Sequence, residues 1–143
     1  MHRGDIWMVD FSVPGVQEHP LPTEGNRGGQ VPPVPGRRVR AGIGSEAAHR
    51  RPAIIVSNDA ANVTAARLGR GVITVVPVTG NVDRIYPFQV SLPARRCQLA
   101  VDSKAHAEQI RAVAVERIDT QVGRLPADLM NKVDHALRLH LAL

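Results

Sequence analysis

Two short apolar segments constrain the fold of this chain more than any other feature of its sequence. Residues 51–58 read Arg-Pro-Ala-Ile-Ile-Val-Ser-Asn, and residues 72–79 read Val-Ile-Thr-Val-Val-Pro-Val-Thr. Runs this rich in Val and Ile predict buried β-strands. If the two strands pair, the guanidinium of Arg51 and the hydroxyl of Thr79 lie at strand ends on a rigid scaffold. A fixed guanidinium beside a hydroxyl suits the stabilisation of a phosphoryl transition state.

The composition indicates one globular domain and favours an anionic partner. A chain of 143 residues, 43% of them hydrophobic, is long enough to bury a core. Because only 3% of the residues are aromatic, we expect a core of Val, Ile, Leu and Ala. The formal charge of +5 favours an anionic partner. An Arg-rich coding bias is almost as good an explanation of that charge, since arginine far outnumbers lysine.

The single cysteine, Cys97, excludes an internal disulfide and a cluster of thiolate ligands for zinc. No apolar run is long enough to span a bilayer. Residues 1–5 lack the apolar stretch of a signal peptide. The sequence therefore predicts a cytoplasmic protein with no membrane partner.

The chain is predicted to form one domain, residues 1–143, interrupted by a Pro/Gly-rich insertion at 13–42 that we expect to be mobile. Pro126 begins the clearest helix, in which apolar residues recur at helical spacing. This pattern predicts a mainly β fold, a small and strongly bent antiparallel barrel with a C-terminal helix. Strands are predicted at 6–11, 51–57, 71–79, 86–92, 97–101 and 107–113. A turn or a short helical turn is predicted at 58–62, and a single helical turn at 117–119.

Further motifs lie in a fixed order along the chain. They occupy residues 3–11, 44–46, 51–58, 76–79, 86–88, 108–111 and 129–137. In this order they resemble the MazF/PemK toxins of bacterial toxin–antitoxin pairs, over residues 2–12 and 43–143. The resemblance implies an SH3-like antiparallel barrel of the CcdB/PemK type and a homodimer. It also implies a sequence-specific endoribonuclease that inhibits translation and growth, and a cognate antitoxin whose acidic, extended tail occupies the RNA groove.

The implied chemistry needs neither a metal ion nor another cofactor, because RNA supplies its own nucleophile, the 2′-OH. The protein must hold the scissile phosphate of single-stranded RNA, accept a proton and stabilise charge. By the resemblance, Arg51 and Thr79 are the catalytic pair, Glu46 is the general base, and Ser45 adds a hydrogen bond to the phosphate. The expected products carry a 2′,3′-cyclic phosphate and a 5′-OH, and DNA should be inert.

Five further residues are candidates for binding RNA: His49, Arg50, Tyr86, Gln109 and Arg111. Each has an alternative. Arg50 competes with Arg51 as the functional cation, and a lone histidine such as His49 is more often a bystander. Gln109 and Arg111 suit either the groove or a structural network. Tyr86 suits base stacking, as does Phe88, for which a place in the core is the stronger expectation.

The insertion at 13–42 is the main departure from the family pattern. One hypothesis is that Arg37, Arg38 and Arg40 bind extra phosphates; the alternative is a tolerated insertion without function. Two other functions also stay open: a CcdB-like inhibitor that binds DNA gyrase, and an RNA-binding barrel without catalysis. We would expect a gyrase inhibitor to end in an aromatic residue, and this chain ends at Leu143.

Overall fold

The segments at 51–58 and 72–79 pair in the structure and form the centre of one antiparallel sheet. The fold comes from a computed structural model that describes residues 1–12 and 49–143, so the predicted insertion at 13–42 lies wholly outside the described residues. The strands are β1 (Asp5–Asp10), β2 (Arg50–Ile55), β3 (Val72–Thr79), β4 (Gln89–Leu92), β5 (Ser103–His106), β6 (Arg111–Ala114) and β7 (Ile118–Arg124). The helices are α1 (Asp59–Leu68), the short α2 (Ala94–Cys97) and α3 (Ala127–Leu141), with 3₁₀ turns at Ala107–Gln109 and Val115–Arg117.

Strand β3 is central because it has neighbours on both edges. The strand order is β4-β5-β3-β2-β1-β7, and β6 also pairs with β3. The first half of β3 pairs with β6, its end pairs with β5, and β2 lies along its other edge. The predicted mainly β fold with a C-terminal helix is confirmed. Within residues 1–12 and 49–143 the sheet stays open between β4 and β7 instead of closing into a barrel.

Both faces of the central strands are buried, because successive side chains of a strand point to opposite faces. Ile54 belongs to the core between the sheet and α3, together with Val133. Its neighbour Ile55 belongs to a second core on the other face, together with Ala65 of α1. This arrangement explains why β2 and β3 are continuous apolar runs.

The predicted C-terminal helix is confirmed. An ion pair joins the N-terminal segment to it. α3 follows Pro126 and buries one stripe of side chains, Leu129, Val133, Ala136 and Leu137. The guanidinium of Arg3 donates to both carboxylate oxygens of Asp134 at 2.5 and 3.3 Å. Its Nε donates to the carbonyl of Val56 at 2.8 Å. One arginine therefore joins β1, the end of β2 and α3.

The helical turn predicted at 58–62 is the start of the ten-residue helix α1. The side chain of Asn58 caps it by accepting from the N–H of Ala61 at 2.8 Å, and Gly69 ends it in the left-handed conformation. Only two residues of α1, Asn62 and Ala65, are buried. Because Asn62 is polar, α1 buries no apolar stripe that could reveal a helix in the sequence.

Three of the predicted elements after β3 are wrong in place or type. The strand predicted at 97–101 is wrong, because α2 ends at Cys97 and Gln98 turns the chain at a φ of 61°. The strand predicted at 107–113 is a 3₁₀ turn followed by β6. The helical turn predicted at 117–119 is displaced, because the 3₁₀ turn ends at Arg117 and β7 begins at Ile118. Strands β5 and β7 were missed. In β7 only Gly123 is buried, so its pairing with β1 is invisible in the hydrophobic pattern.

Gly123 should be irreplaceable where β7 crosses α2. A Cβ at this position would overlap the carbonyl oxygen of Cys97 and lie 3.2 Å from Leu99 Cδ2. We expect Gly123→Ala to lower the free energy of unfolding by about 1–3 kcal/mol, as overpacking does. Urea unfolding of the variant would measure this. Gly80→Ala is the matched control, because its Cβ meets only Val101 Cγ2 at 3.4 Å; equal stability of the two variants would contradict the prediction.

Candidate functional site

The register between β2 and β3 brings Arg51 and Thr79 together. Ala53 pairs with Pro77, Ile54 with Val76 and Ile55 with Val75. Continued by two residues, this register places Arg51 opposite Thr79, and cross-strand neighbours of this kind are in contact range. On the other edge of β2, Arg51 pairs with Val9 of β1. The expectation that the two strands pair is confirmed, and the pairs that the structure forms end at Ala53 and Pro77, two residues short of Arg51 and Thr79.

Arg51 lines a groove that also holds three other candidates from the sequence. Its volume is about 350 Å³, and its walls come from β1, β2, β3 and the segment leading into β6. The lining residues are Phe11, His49, Arg51, Pro77, Gln109 and Arg111. The guanidinium of Arg111 lies 5.0 Å from the centroid of the Phe11 ring, a cation–π contact. Two guanidinium groups in one groove create a site for an anion.

Arg50 lies away from this groove. Successive residues of a strand point to opposite faces, and Arg50 forms an ion pair with Asp119 of β7. Both side chains are about half exposed, at 49% and 48%. The geometry thus separates the two adjacent arginines, with Arg51 in the groove and Arg50 in a surface pair.

Tyr86 also lies apart from the groove-lining residues. It precedes β4, is exposed, and stacks on Phe88 with ring centroids 5.5 Å apart and planes 5° from parallel. Arg84 donates to the Tyr86 hydroxyl at 3.1 Å. Phe88 is half-buried and is not among the residues that form or pack against the two described cores, so its expected place in the core is not confirmed. Ser45 and Glu46 lie outside the described residues.

Thr79 has a buried hydrogen-bond partner that the sequence did not predict. Thr79 Oγ1 lies 2.8 Å from Nε2 of His106, a residue only 8% exposed at the end of β5. His106 Nδ1 lies 2.8 Å from Oε1 of Glu108. The amide of Gln89, on β4, donates to the same Glu108 oxygen at 3.0 Å. A hydroxyl, an imidazole and a carboxylate therefore form one chain of hydrogen bonds, which we call the Thr79–His106–Glu108 chain.

The Glu108 carboxylate is held in its charged form. Its burial alone would raise the pKa of the carboxyl, but hydrogen bonds from Gln89 and His106 outweigh burial and bring that pKa below its ordinary value. Oε2 of Glu108 is buried and has no hydrogen-bond partner within residues 1–12 and 49–143. The hydrogen bonds that stabilise the charged carboxylate are therefore made to Oε1, the oxygen that faces His106.

Among the described residues, no group of three or more His, Cys, Asp or Glu side chains is arranged to hold a metal ion. In the same part of the chain, none of the helices has the length and apolar character needed to cross a membrane. Cys97 is fully buried, and burial raises the pKa of its thiol. A thiol in that environment is a poor nucleophile.

The chain is similar to characterised toxins over most of its length. Residues 38–141 match the family described as PemK-like, MazF-like toxin of type II toxin–antitoxin system. Endoribonuclease MazF9 of Mycobacterium tuberculosis is 48% identical over 143 residues, which cover 100% of this chain and 98% of that protein. Endoribonuclease EndoA of Bacillus subtilis is 32% identical over 102 residues, 71% of this chain and 84% of that protein.

Solved structures show the same fold at lower sequence identity. A mycobacterial endoribonuclease in complex with its cognate antitoxin superposes with a TM-score of 0.63 and 20% identity, over 100% of this chain and 96% of that one. MazF from Deinococcus radiodurans superposes with a TM-score of 0.60 and 22% identity, over 100% of this chain and 97% of that one. These likenesses support the fold described above.

The contacts of Glu108 should make stability depend on pH. We expect the wild type to be more stable than Glu108→Gln by about 1–2 kcal/mol above the ordinary pKa of a glutamate. That difference should vanish as the pH falls through the lowered pKa of Glu108, where the carboxylate takes up its proton. Urea unfolding of both proteins across this pH range would measure it. Glu116→Gln, at an exposed position, is the control; a difference that is the same at every pH would refute the prediction.

Proposed function

The chain belongs to the PemK-like, MazF-like toxins of type II toxin–antitoxin systems, and we propose that it is an endoribonuclease that cleaves single-stranded RNA. The observation that carries the proposal is the position of Arg51 in a groove that also contains Arg111. The β2–β3 register supports it, because two further residues of the same pairing would bring Arg51 opposite Thr79. The family resemblance supplies the expectation of RNA, and the groove supplies the matching charge. In this proposal the protein acts in the cytoplasm, where the RNA is.

The scissile phosphate would lie between Arg51 and Thr79. Arg51 stays protonated throughout the physiological pH range, so its role is to stabilise the negative charge that develops on the phosphate. The Thr79 hydroxyl donates to a non-bridging phosphate oxygen. Because both groups are fixed at strand ends, they are in place before the reaction begins.

The nucleophile is the 2′-OH of the substrate. We assign the general base to Glu46 and a further phosphate hydrogen bond to Ser45, both by resemblance to the family. His49, which lines the groove beside Arg51, is our candidate for the proton donor to the departing 5′-oxygen. The reaction then needs no metal ion, and its products are a 2′,3′-cyclic phosphate and a 5′-OH end.

The rest of the groove would bind the RNA chain. Gln109 and Arg111 line it next to Arg51, and the ring of Phe11 offers an apolar surface under the Arg111 guanidinium. The same positive groove suits the acidic, extended tail of a cognate antitoxin, which would block the RNA by occupying its site. As in the family, we propose that the protein acts as a homodimer.

Replacing either member of the catalytic pair should slow cleavage strongly. Incubated in EDTA with a long RNA of mixed sequence, the wild type should cut at discrete sites and leave 5′-OH ends. Arg51→Ala and Thr79→Ala should each lose about 10²–10³-fold in rate, the effect of removing one preorganised donor. Arg50→Ala should retain most of the activity, because Arg50 pairs with Asp119 outside the groove.

Three results would contradict this proposal, each in a different way. An absolute need for Mg²⁺ would overturn the metal-independent mechanism. Cleavage of the 2′-deoxy analogue would exclude attack by the 2′-OH. Binding of RNA without any cleavage would favour an RNA-binding barrel, and failure to bind RNA together with inhibition of DNA gyrase would favour a CcdB-like inhibitor.

A second experiment tests the role proposed for the insertion. If Arg37, Arg38 and Arg40 bind phosphates, deleting residues 14–41 should flatten the dependence of RNA affinity on salt, by about 0.7 in the logarithmic slope for each lost contact. Affinity measured at several salt concentrations would show this. An unchanged slope together with an unchanged set of cleavage sites would identify the insertion as functionally neutral.

A further inference from the structure

The Thr79 hydroxyl has only one hydrogen, and its direction depends on His106. Thr79 Oγ1 and His106 Nε2 are 2.8 Å apart, so one of the two atoms must donate to the other. If Nε2 is unprotonated, the hydroxyl hydrogen points at the imidazole and is withheld from a substrate. If Nε2 carries a hydrogen, the hydroxyl oxygen accepts it and the hydroxyl hydrogen is free to point into the site.

Glu108 determines which nitrogen of the neutral imidazole carries the hydrogen. Its carboxylate oxygen lies 2.8 Å from His106 Nδ1, and the lowered pKa of Glu108 keeps it charged. Two acceptors at that distance would repel each other, so Nδ1 is the protonated nitrogen. Nε2 of a neutral His106 is therefore an acceptor, and only the doubly protonated imidazolium can donate to Thr79.

We propose that His106 is a positioning residue that acts through Thr79, releasing the threonine hydroxyl to the substrate phosphate only when its imidazole is protonated. This inference rests on the proposed function, in which Thr79 donates to the phosphate. It adds a pH-dependent state to that function: phosphate binding and a protonated His106 stabilise each other, and Glu108 holds the imidazolium in place.

The surroundings of His106 leave Glu108 as its direct charged contact among the described residues. Gln89 lies 3.2 Å from Nδ1 and directs its amide to Glu108. Lys104, on the same strand, donates to the carbonyl of Arg84 at 2.6 Å. Further charged or titratable groups lie in two neighbouring grooves: Lys132 and His135 of α3 beyond Gln89, and His49, Arg51 and Arg111 in the basic groove.

Two replacements of His106 distinguish a role in orienting the Thr79 hydroxyl from a purely structural role. His106→Leu removes the donor and should lower kcat/KM for RNA cleavage about tenfold, the effect of one misdirected hydrogen bond. His106→Gln places an amide that donates at every pH, so it should keep most of the activity. It should also lose the fall in activity that the wild type shows as the pH rises. Thermal unfolding of both variants checks that they are folded.

The decisive comparison repeats the leucine replacement in a Thr79→Ala background. If His106 acts through the hydroxyl, His106→Leu should change kcat/KM little once that hydroxyl is absent. An equal loss in both backgrounds, or an unaltered pH profile in His106→Gln, would overturn the positioning role while leaving the nuclease intact.

A binding measurement keeps the inference testable without cleavage. Sulfate stays doubly charged across the pH range and can stand in for the phosphate; its affinity is measured by NMR at the Thr79 amide. The measurement uses a His49→Gln background, so that His106 is the histidine under test and the described lining of the basic groove holds none. Affinity should fall with rising pH when His106 is present and stay flat in His106→Gln. If the wild type cuts no RNA but the His49→Gln protein shows this linkage, only the proposed nuclease fails. A flat response in the His49→Gln protein, in which His106 is present, refutes the positioning role.

Discussion

The register between β2 and β3 is the constraint on which the rest of the site depends. A slip of one residue would turn Arg51 to the opposite face, yet these strands are apolar on both faces and their pattern gives little protection against a slip. A polar contact at the other end of the β2–β3 pair fixes the register that the apolar pattern leaves open. Ser57 Oγ accepts a hydrogen bond from the Thr74 N–H at 3.1 Å and donates one to Asn62 Oδ1 at 2.5 Å. Asn62, fully buried in α1, also donates to the Ser57 carbonyl at 2.9 Å, so helix α1 holds the register that aligns Arg51 with Thr79.

Once the register is fixed, the position of β3 gathers polar groups at one end of the sheet. β3 delivers Thr79, β2 delivers Arg51, and the two strands on the far edge of β3 deliver His106 and Arg111. The residues in the middle of these strands pack into two cores that contain few aromatic residues. Polar function is therefore confined to strand ends, where rigid backbone holds the side chains and the apolar cores are not interrupted.

The sequence was sufficient for the parts of the site that lie in strongly patterned segments. Arg51 and Thr79 end two Val/Ile runs, and the predicted pairing of those runs is confirmed. The role of His106 could not be predicted from the sequence, because β5 reads Ser-Lys-Ala-His and carries no strand pattern. His106 is buried only because β5 pairs with β3 and β4. The one available signal was the spacing of His106 and Glu108, two residues apart, which is too common to indicate a contact. Arg50 and Arg51 were likewise inseparable by sequence. The strand β7, which lies beyond β1 in the sheet, distinguishes them by supplying Asp119 as the partner of Arg50.

Charge balance strengthens the argument that a phosphate and a protonated His106 favour each other. With His106 neutral, the pair formed with Glu108 has a net charge of −1 next to Thr79; with His106 protonated, the pair is neutral. A phosphate approaching Thr79 is repelled by the first state and not by the second, and Glu108 is too buried for water to screen it fully. The direction of the hydroxyl hydrogen and the Coulomb energy therefore act with the same sign. Arg51 cannot provide such a response, since a guanidinium keeps its charge at every physiological pH, so any pH dependence at this end of the sheet must come from a residue that can change its charge there.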